Sequence, residues 1–270
     1  MQGLVDYHMH TPLCHHAEGH PRAYVEVAAE RGLTEIGFSC HSPMMAEFDD
    51  WRMSIEEFPR YLEMVEEARV HGETWGVAVR LGLEVDYLPG HDPWIGELTK
   101  MASWDYLIGS VHYLTTELVV DHPEHLSQVE KLYSPEAVWE LYWELYERAI
   151  RTKLFDFMAH PDLPKKFGRV PEGDLSNYYA GSLIAMHETG TAYEINTAGL
   201  RKPVGELYPT SEFLSLARRA GIALVIGSDA HAPEDVGAGF DRAITAAKEA
   251  GYTQLARFER RERTLTDFRE

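Results

Sequence analysis

Apolar, often β-branched runs recur along the chain at 3–8, 35–41, 79–87, 106–112, 155–160, 192–197 and 223–229. Between them apolar residues step by three and four, as in Val138, Leu141, Tyr142 and Leu145. That spacing predicts helices near 21–32, 54–72, 93–102, 134–151, 174–189, 209–220 and 240–250. Helix starts carry their own signals. Ser54 with Glu57 makes a capping box, and Ser134-Pro135 places a cap before a proline at the first helical position. Gly32, Gly72, Gly190 and Gly221 stand just past the expected helix ends, where a left-handed residue is favoured.

Strand–helix units joined by short turns imply a parallel sheet, because parallel neighbours need a crossover. The fold class is therefore α/β. Seven such units in one chain favour a closed, barrel-like sheet, with an open doubly wound sheet as the alternative. Without a linker, repeat or low-complexity segment, residues 1–270 read as a single domain. Three connections after strand ends are long, 43–53, 114–133 and 161–173, and long loops on that face of a barrel build its site.

Charge narrows the choice of partners. With Lys+Arg 25 and Asp+Glu 44 the chain carries −19, which excludes a broad basic surface for nucleic acid but leaves room for a local basic pocket. Apolar runs fall short of a membrane span, and no basic-then-apolar leader opens the chain, so the expectation is a cytoplasmic enzyme away from membranes. Two cysteines, Cys14 and Cys40, are too few for a disulfide scaffold and fit a reducing compartment. A homo-oligomer stays open.

The composition contains 14 histidines, and many fall at strand ends. His8 and His10 end the first strand, His41 the second, Glu84 and Asp86 the third, and His112 the fourth. His160 ends the fifth, Glu194 and Asn196 the sixth, and Asp229 and His231 the seventh. Alone, a strand-end histidine is more often a hydrogen-bonded structural residue. Two separated by one residue point to the same side of a strand, which gives the HxH and DxH pairs their weight. His8, His10, His41, Glu84, His112, His160, Asp229 and His231, with one more histidine from Cys14-His15-His16, make nine donors. They fill three metal sites if one carboxylate bridges. Imidazole and carboxylate donors suit zinc, iron(II) or manganese.

These residues resemble the polymerase-and-histidinol-phosphatase (PHP) superfamily, over residues 6 to 231. The resemblance rests on HxH, a histidine six residues on, histidine after strand two, glutamate after strand three, histidines after strands four and five, and a closing DxH. Within it, DYHMHTPLCHHAEGH, FSCHSP, GLEVDY, GSVHY, AHPD, EINTAGLRKP and IGSDAH are similar to the stand-alone histidinol-phosphate phosphatases. The resemblance implies a distorted seven-stranded (β/α)7 TIM-like barrel and three divalent metal ions. It places the first on His8, His10, Glu84 and Asp229, and the second on His16, His41 and His231. The third falls to the bridging Glu84 with His112 and His160. His16 rather than His15 aligns with the family histidine, leaving His15 for the substrate or for support of the ligands. Amidohydrolase barrels share the HxH opening but usually carry a bridging lysine after strand four, and YLIGSVHY has none.

Basic residues stand out on so acidic a chain. Arg201 and Lys202 follow strand six, and Lys165, Lys166 and Arg169 follow strand five. A guanidinium fork matches phosphate oxygens, and the resemblance implies a phosphate-binding arginine at Arg201. Lys165, Ser42, Tyr113 and His15 are further substrate candidates, while Asp229 and His231 are the candidates for protonating a leaving alkoxide. Glu117, Asp121 and Glu124 place negative charge on the 114–133 loop. The expected activity is metal-dependent hydrolysis of L-histidinol phosphate, a small-molecule substrate, to L-histidinol and phosphate in histidine biosynthesis. The alternatives are a PHP phosphoesterase for a nucleotide or phosphotyrosine and a catalytically silent PHP module.

Overall fold

A computed structural model describes residues 4–45 and 48–268. The first part of the chain holds β1 (Val5–Asp6), α1 (Pro21–Glu30), β2 (Glu35–Phe38), α2 (Phe58–Trp75), β3 (Ala78–Leu81), β4 (Glu84–Asp86), α3 (Asp92–Leu98) and β5 (Ile108–Ser110). An insertion follows, made of β6 (Tyr113–Thr115), β7 (Leu118–Val119) and α4 (Pro123–Leu132). Then come α5 (Pro135–Arg151), β8 (Phe157–Met158), α6 (Ser176–Thr189), β9 (Ala192–Asn196), α7 (Ser211–Arg219), β10 (Leu224–Gly227) and α8 (Phe240–Glu249). The hairpin β11 (Gln254–Glu259) and β12 (Glu262–Asp267) closes the described chain.

The expected helices form within a few residues of their sequence boundaries. Ser134 caps α5 by accepting from the Ala137 amide, and the amphipathic α5 buries Trp139, Tyr142, Trp143 and Tyr146. The Ser54–Glu57 box also forms, but it precedes α2, which starts at Phe58. Gly72 is not the terminator of that helix. It lies inside α2, where a Cβ would come 2.3 Å from the Val77 carbonyl oxygen, and Gly76, at φ +67, takes the left-handed cap.

Two parallel sheets carry the strands, one of three in the order β1-β2-β3 and one of five in the order β10-β9-β8-β5-β4. They touch along two seams. Each seam is an isolated bridge, Met9 with Ala230 and His41 with Glu84, so the described residues do not form a continuous closed sheet. The expected strand at 79–87 is in fact two strands in two sheets. At the break, the Asp105 carboxylate accepts from the Leu81 amide at 2.9 Å and the Tyr61 hydroxyl donates to the Gly82 carbonyl at 2.7 Å. Side chains thus satisfy backbone groups that a continuous ladder would have paired. The ring of Tyr106 lies against the same turn. A Cβ on Gly82 would meet it at 2.3 Å, and one on Gly37 would meet its hydroxyl at 2.1 Å.

Between the sheets lies an apolar cluster of Val5, Tyr7, Tyr106, Ile108, Phe157 and Val225, joined by Phe258 from the terminal hairpin. The hairpin covers the N-terminal ends of the strands, where the Arg260 amide donates to Asp105. This closure was not anticipated from the sequence, nor were the strands and helix inside the 114–133 connection. The opposite, C-terminal ends of the strands remain free for chemistry. Residue 3 of the expected first strand, and 46 and 47 of the 43–53 loop, lie outside the described residues. Among the described residues no helix is long and apolar enough to cross a membrane.

Candidate metal centre

The chain leaving β1 stays extended, and its two-residue period turns His8 and His10 to one side, both fully buried. Their Nε2 atoms meet Glu84 from β4 and Asp229 from the end of β10. His8 Nε2 lies 3.4 Å from Glu84 Oε2 and 3.7 Å from Asp229 Oδ1, and His10 Nε2 lies 3.6 and 3.2 Å from the same two atoms. Donors about 2.0–2.2 Å from a tetrahedral cation stand at such separations. His8 Nε2, His10 Nε2, His41 Nδ1 and Glu84 Oε2 are buried without a hydrogen-bond partner. Leaving buried polar atoms unpaired is costly, and a cation among them removes the cost. The residues therefore fit a divalent metal.

Glu84 divides its carboxylate between two sets of imidazoles. Oε2 faces His8, His10 and His41, the last at 2.9 Å from Nδ1. Oε1 faces His160 Nε2 at 3.1 Å and His112 Nε2 at 3.7 Å, and accepts from the Ser110 hydroxyl at 2.5 Å. Burial pushes the Glu84 carboxyl up, but the His8 and His41 charges outweigh it and hold it well below the usual carboxylate range. A third group opens toward solvent, where His16 Nε2 lies 3.0 Å from His231 Nε2. One ligand atom each of His10, His41 and His231 also lie within 4.8 Å of one another.

The far side of several rings is held in place. His8 Nδ1 lies 3.0 Å from both oxygens of Glu194, His112 Nδ1 2.7 Å from Asp86 Oδ1, and His16 Nδ1 2.7 Å from the Cys14 carbonyl. Glu194 also accepts from the His160 amide and from Asn196, which donates onward to Asp229. Such partners fix the ring orientation and raise ligand basicity. Reading the sequence placed Asp86, Glu194 and Asn196 at strand ends without assigning them this work. Their signal was the two-residue spacing, Glu84 to Asp86 and Glu194 to Asn196. His160 and Asp229 hold positive φ, 23° and 52°, a strain that recurs at functional sites.

The family model of the PHP domain matches residues 6–198. The chain belongs to the PHP family. This PHP protein is 41% identical to the probable histidinol-phosphatase of Deinococcus radiodurans, over 93% of its own length and 95% of the relative's. It is 31% identical to the histidinol-phosphatase of Bacillus subtilis, over 87% and 96%. Its fold matches the histidinol phosphate phosphatase of Lactococcus lactis, solved with zinc, L-histidinol and phosphate. That match has a TM-score of 0.82 at 22% identity, covering 98% of this chain and all of the other.

A cavity of about 500 Å³ opens over the histidines of the PHP protein. The substrate candidates divide sharply there. His15 stands at the rim, about half exposed, with Nδ1 2.8 Å from the Asp50 carbonyl oxygen. Lys165 turns away: it is buried, and its Nζ donates to the Leu207 carbonyl at 2.7 Å, 3.4 Å from Asp162. Lys166 faces the cavity instead, with Nζ 2.9 Å from Asp121 Oδ2. Arg201 donates to the carbonyls of Ser228 and Asp229 and pairs with Asp235 at 3.1 Å, bracing the turn that carries Asp229, while Lys202 lines the cavity. Ser42 is buried beneath, its amide donating to the Glu84 carbonyl. Tyr113 stacks on Trp51 and donates its hydroxyl to Asp49. On the 114–133 insertion, Asp121 lines the cavity and Glu117 and Glu124 do not.

Proposed function

We propose that this chain is a metal-dependent phosphomonoesterase that hydrolyses L-histidinol phosphate to L-histidinol and phosphate in histidine biosynthesis. It would work as one PHP-type unit over 1–270, built as a distorted seven-stranded (β/α)7 barrel in which β3 and β4 together take the place of one strand. The observation that carries the proposal is the position of Glu84, one oxygen toward His8, His10 and His41 and the other toward His112 and His160. Two relatives that align over nearly their full length are named for this activity.

Three divalent ions, zinc, iron or manganese, would be held by His8, His10, Glu84 and Asp229; by His16, His41 and His231; and by Glu84, His112 and His160. When bound, such ions supply an ionised water near neutral pH and neutralise phosphate charge. The chain's own residues do the rest. Asp86 and Glu194 orient His112 and His8. Burial pushes the Asp229 carboxyl up, but the His8 charge and the close contact with His10 outweigh it and hold it well below the usual range. It stays ionised, and burial with the His10 charge holds His231 well below the usual histidine range, so both are in the form a metal ligand needs. Arg201 keeps the Asp229 turn in place.

The cavity carries both signs of charge, Lys166 and Lys202 against Asp50 and Asp121. A substrate with a phosphate at one end and an ammonium at the other suits that lining. The test is a panel of phosphomonoesters on metal-replete protein. L-histidinol phosphate should give the highest kcat/KM. A nucleotide or phosphotyrosine turned over more efficiently would overturn the substrate assignment.

A further inference from the structure

Arg52 is a buried cation on the 43–53 loop, 4% exposed, and every arm of its guanidinium is engaged. Nε donates to Asp49 at 2.8 Å, Nη1 to the Ser42 carbonyl at 3.1 Å, and Nη2 to Asp86 Oδ2 at 3.0 Å. The other oxygen of Asp86 holds His112 Nδ1 at 2.7 Å. The flat face of the same guanidinium lies 4.2 Å from the ring of Trp51. That indole lines the cavity, its ring edge-on to His41 and His112 at 4.7 and 5.5 Å between centroids. Its face is backed by Tyr113, whose hydroxyl returns to Asp49.

We propose that Arg52 is a positioning residue that sets a metal ligand and the substrate wall together. Through Asp86 it fixes His112, and through stacking it fixes Trp51 as the surface that receives the imidazole of the substrate. The second half rests on the phosphatase assignment above; the first does not. A guanidinium suits this work because it is planar, carries its donors in a rigid fork and stacks on aromatic rings. Removing it leaves Asp86 free to rotate and takes one of the two stacking partners from Trp51, so metal affinity and substrate discrimination should fall together. A residue that merely anchored the loop would shift substrate discrimination through Trp51 and leave metal affinity unchanged.

The experiment uses metal-replete holoenzyme carrying Arg52→Met, Asp86→Asn or Trp51→Leu. Metal affinity is read by competition with a chromophoric chelator, and KM is read for L-histidinol phosphate and for glycerol phosphate, which has no ring. Arg52→Met should weaken one metal equivalent by about 10–100-fold. It should also raise the ratio of the two KM values about tenfold, equivalent to about 1.4 kcal/mol. Asp86→Asn should reproduce the metal effect without the change in ratio, and Trp51→Leu the change in ratio without the metal effect. Wild-type metal affinity in Arg52→Met, or an unchanged ratio, overturns the proposal. If Arg52→Met does not fold, the other two variants decide it, since either one lacking its effect breaks the corresponding link. If the wild type itself does not prefer L-histidinol phosphate, the substrate assignment fails and the metal measurements still judge Arg52.

Discussion

His16 and His231 are 215 positions apart in the chain, and their Nε2 atoms face each other at 3.0 Å. Two imidazole lone pairs at that distance repel unless a proton or a cation lies between them. The neighbouring His15 takes no part. It sits in the left-handed region at φ +66 and sends its ring to the rim. His16→Ala should therefore lower bound metal by one equivalent in elemental analysis, whereas His15→Ala should keep the wild-type metal content. Equal content in the two variants would remove His16 from the site.

Glu84 stands between both imidazole sets, so its loss leaves two cations poorly compensated. Glu84→Ala should keep the fold, by circular dichroism, and retain less than about a tenth of wild-type kcat, a loss above about 1.4 kcal/mol. Turnover above that level would contradict the bridging role.

Metal uptake should release protons. In the metal-free protein burial lowers His10, but its close contacts with Asp229 and Cys40 and the Glu84 and Asp229 charges carry it up to about 9. Burial also lowers His112, yet the Asp86 charge and hydrogen bond carry it up to about 10. Both values lie above the unfolded histidine value. The stability from these protonated rings is therefore complete below about pH 6.5 and is lost as pH rises through about 9 to 10. A metal needs the neutral ring and must displace the proton. Titration with zinc in weak buffer near pH 7.5 should acidify the solution, and apparent affinity should rise with pH until about 9 to 10. Uptake without proton release would contradict these assignments.

Arg201→Ala should reduce kcat/KM for all phosphate esters alike, because the side chain braces the turn of Asp229. The loss of charged hydrogen bonds is worth about 1.5–3 kcal/mol. A loss confined to L-histidinol phosphate would instead mark Arg201 as a contact to the rest of that substrate.

Gly37→Ala should lower stability by about 1–3 kcal/mol, the usual cost of overpacking, read from the denaturant midpoint at constant slope. The new methyl would meet the Tyr106 hydroxyl at 2.1 Å, and that hydroxyl already donates to the Tyr7 carbonyl at 2.7 Å. An unchanged midpoint would mean that the ring moves freely.

The alternation of strands and helices, and the gathering of His8, His10, His41, Glu84, His112, His160, Asp229 and His231 at strand ends, were legible in the sequence. Both are local properties. Helical stepping and strand alternation repeat over a few residues, and parallel strands carry their C-terminal ends to one side together. The family resemblance added His16 over His15, and His16 Nε2 lies 3.0 Å from His231 Nε2.

Other choices depended on tertiary packing. Lys165 and Lys166 are neighbours of one type, and only the path of the 161–173 loop turns Lys165 to the Leu207 carbonyl and Lys166 to Asp121. Arg201 was placed beside the site by sequence, and only the packing shows its Nη2 donating to the carbonyls of Ser228 and Asp229 with Nε facing Asp235. Arg52 gave no sequence signal, because its loop must fold back on Asp49 and Ser42 and pack on the end of β4 before Asp86 meets it. The break between β3 and β4 likewise needed Asp105 and Tyr61, which arrive from other elements. Sequence settled which side chains reach the strand ends, since backbone period is local. Tertiary structure decided which atoms they meet, since a hydrogen bond or a metal site selects on distances of tenths of an ångström between segments far apart in the chain.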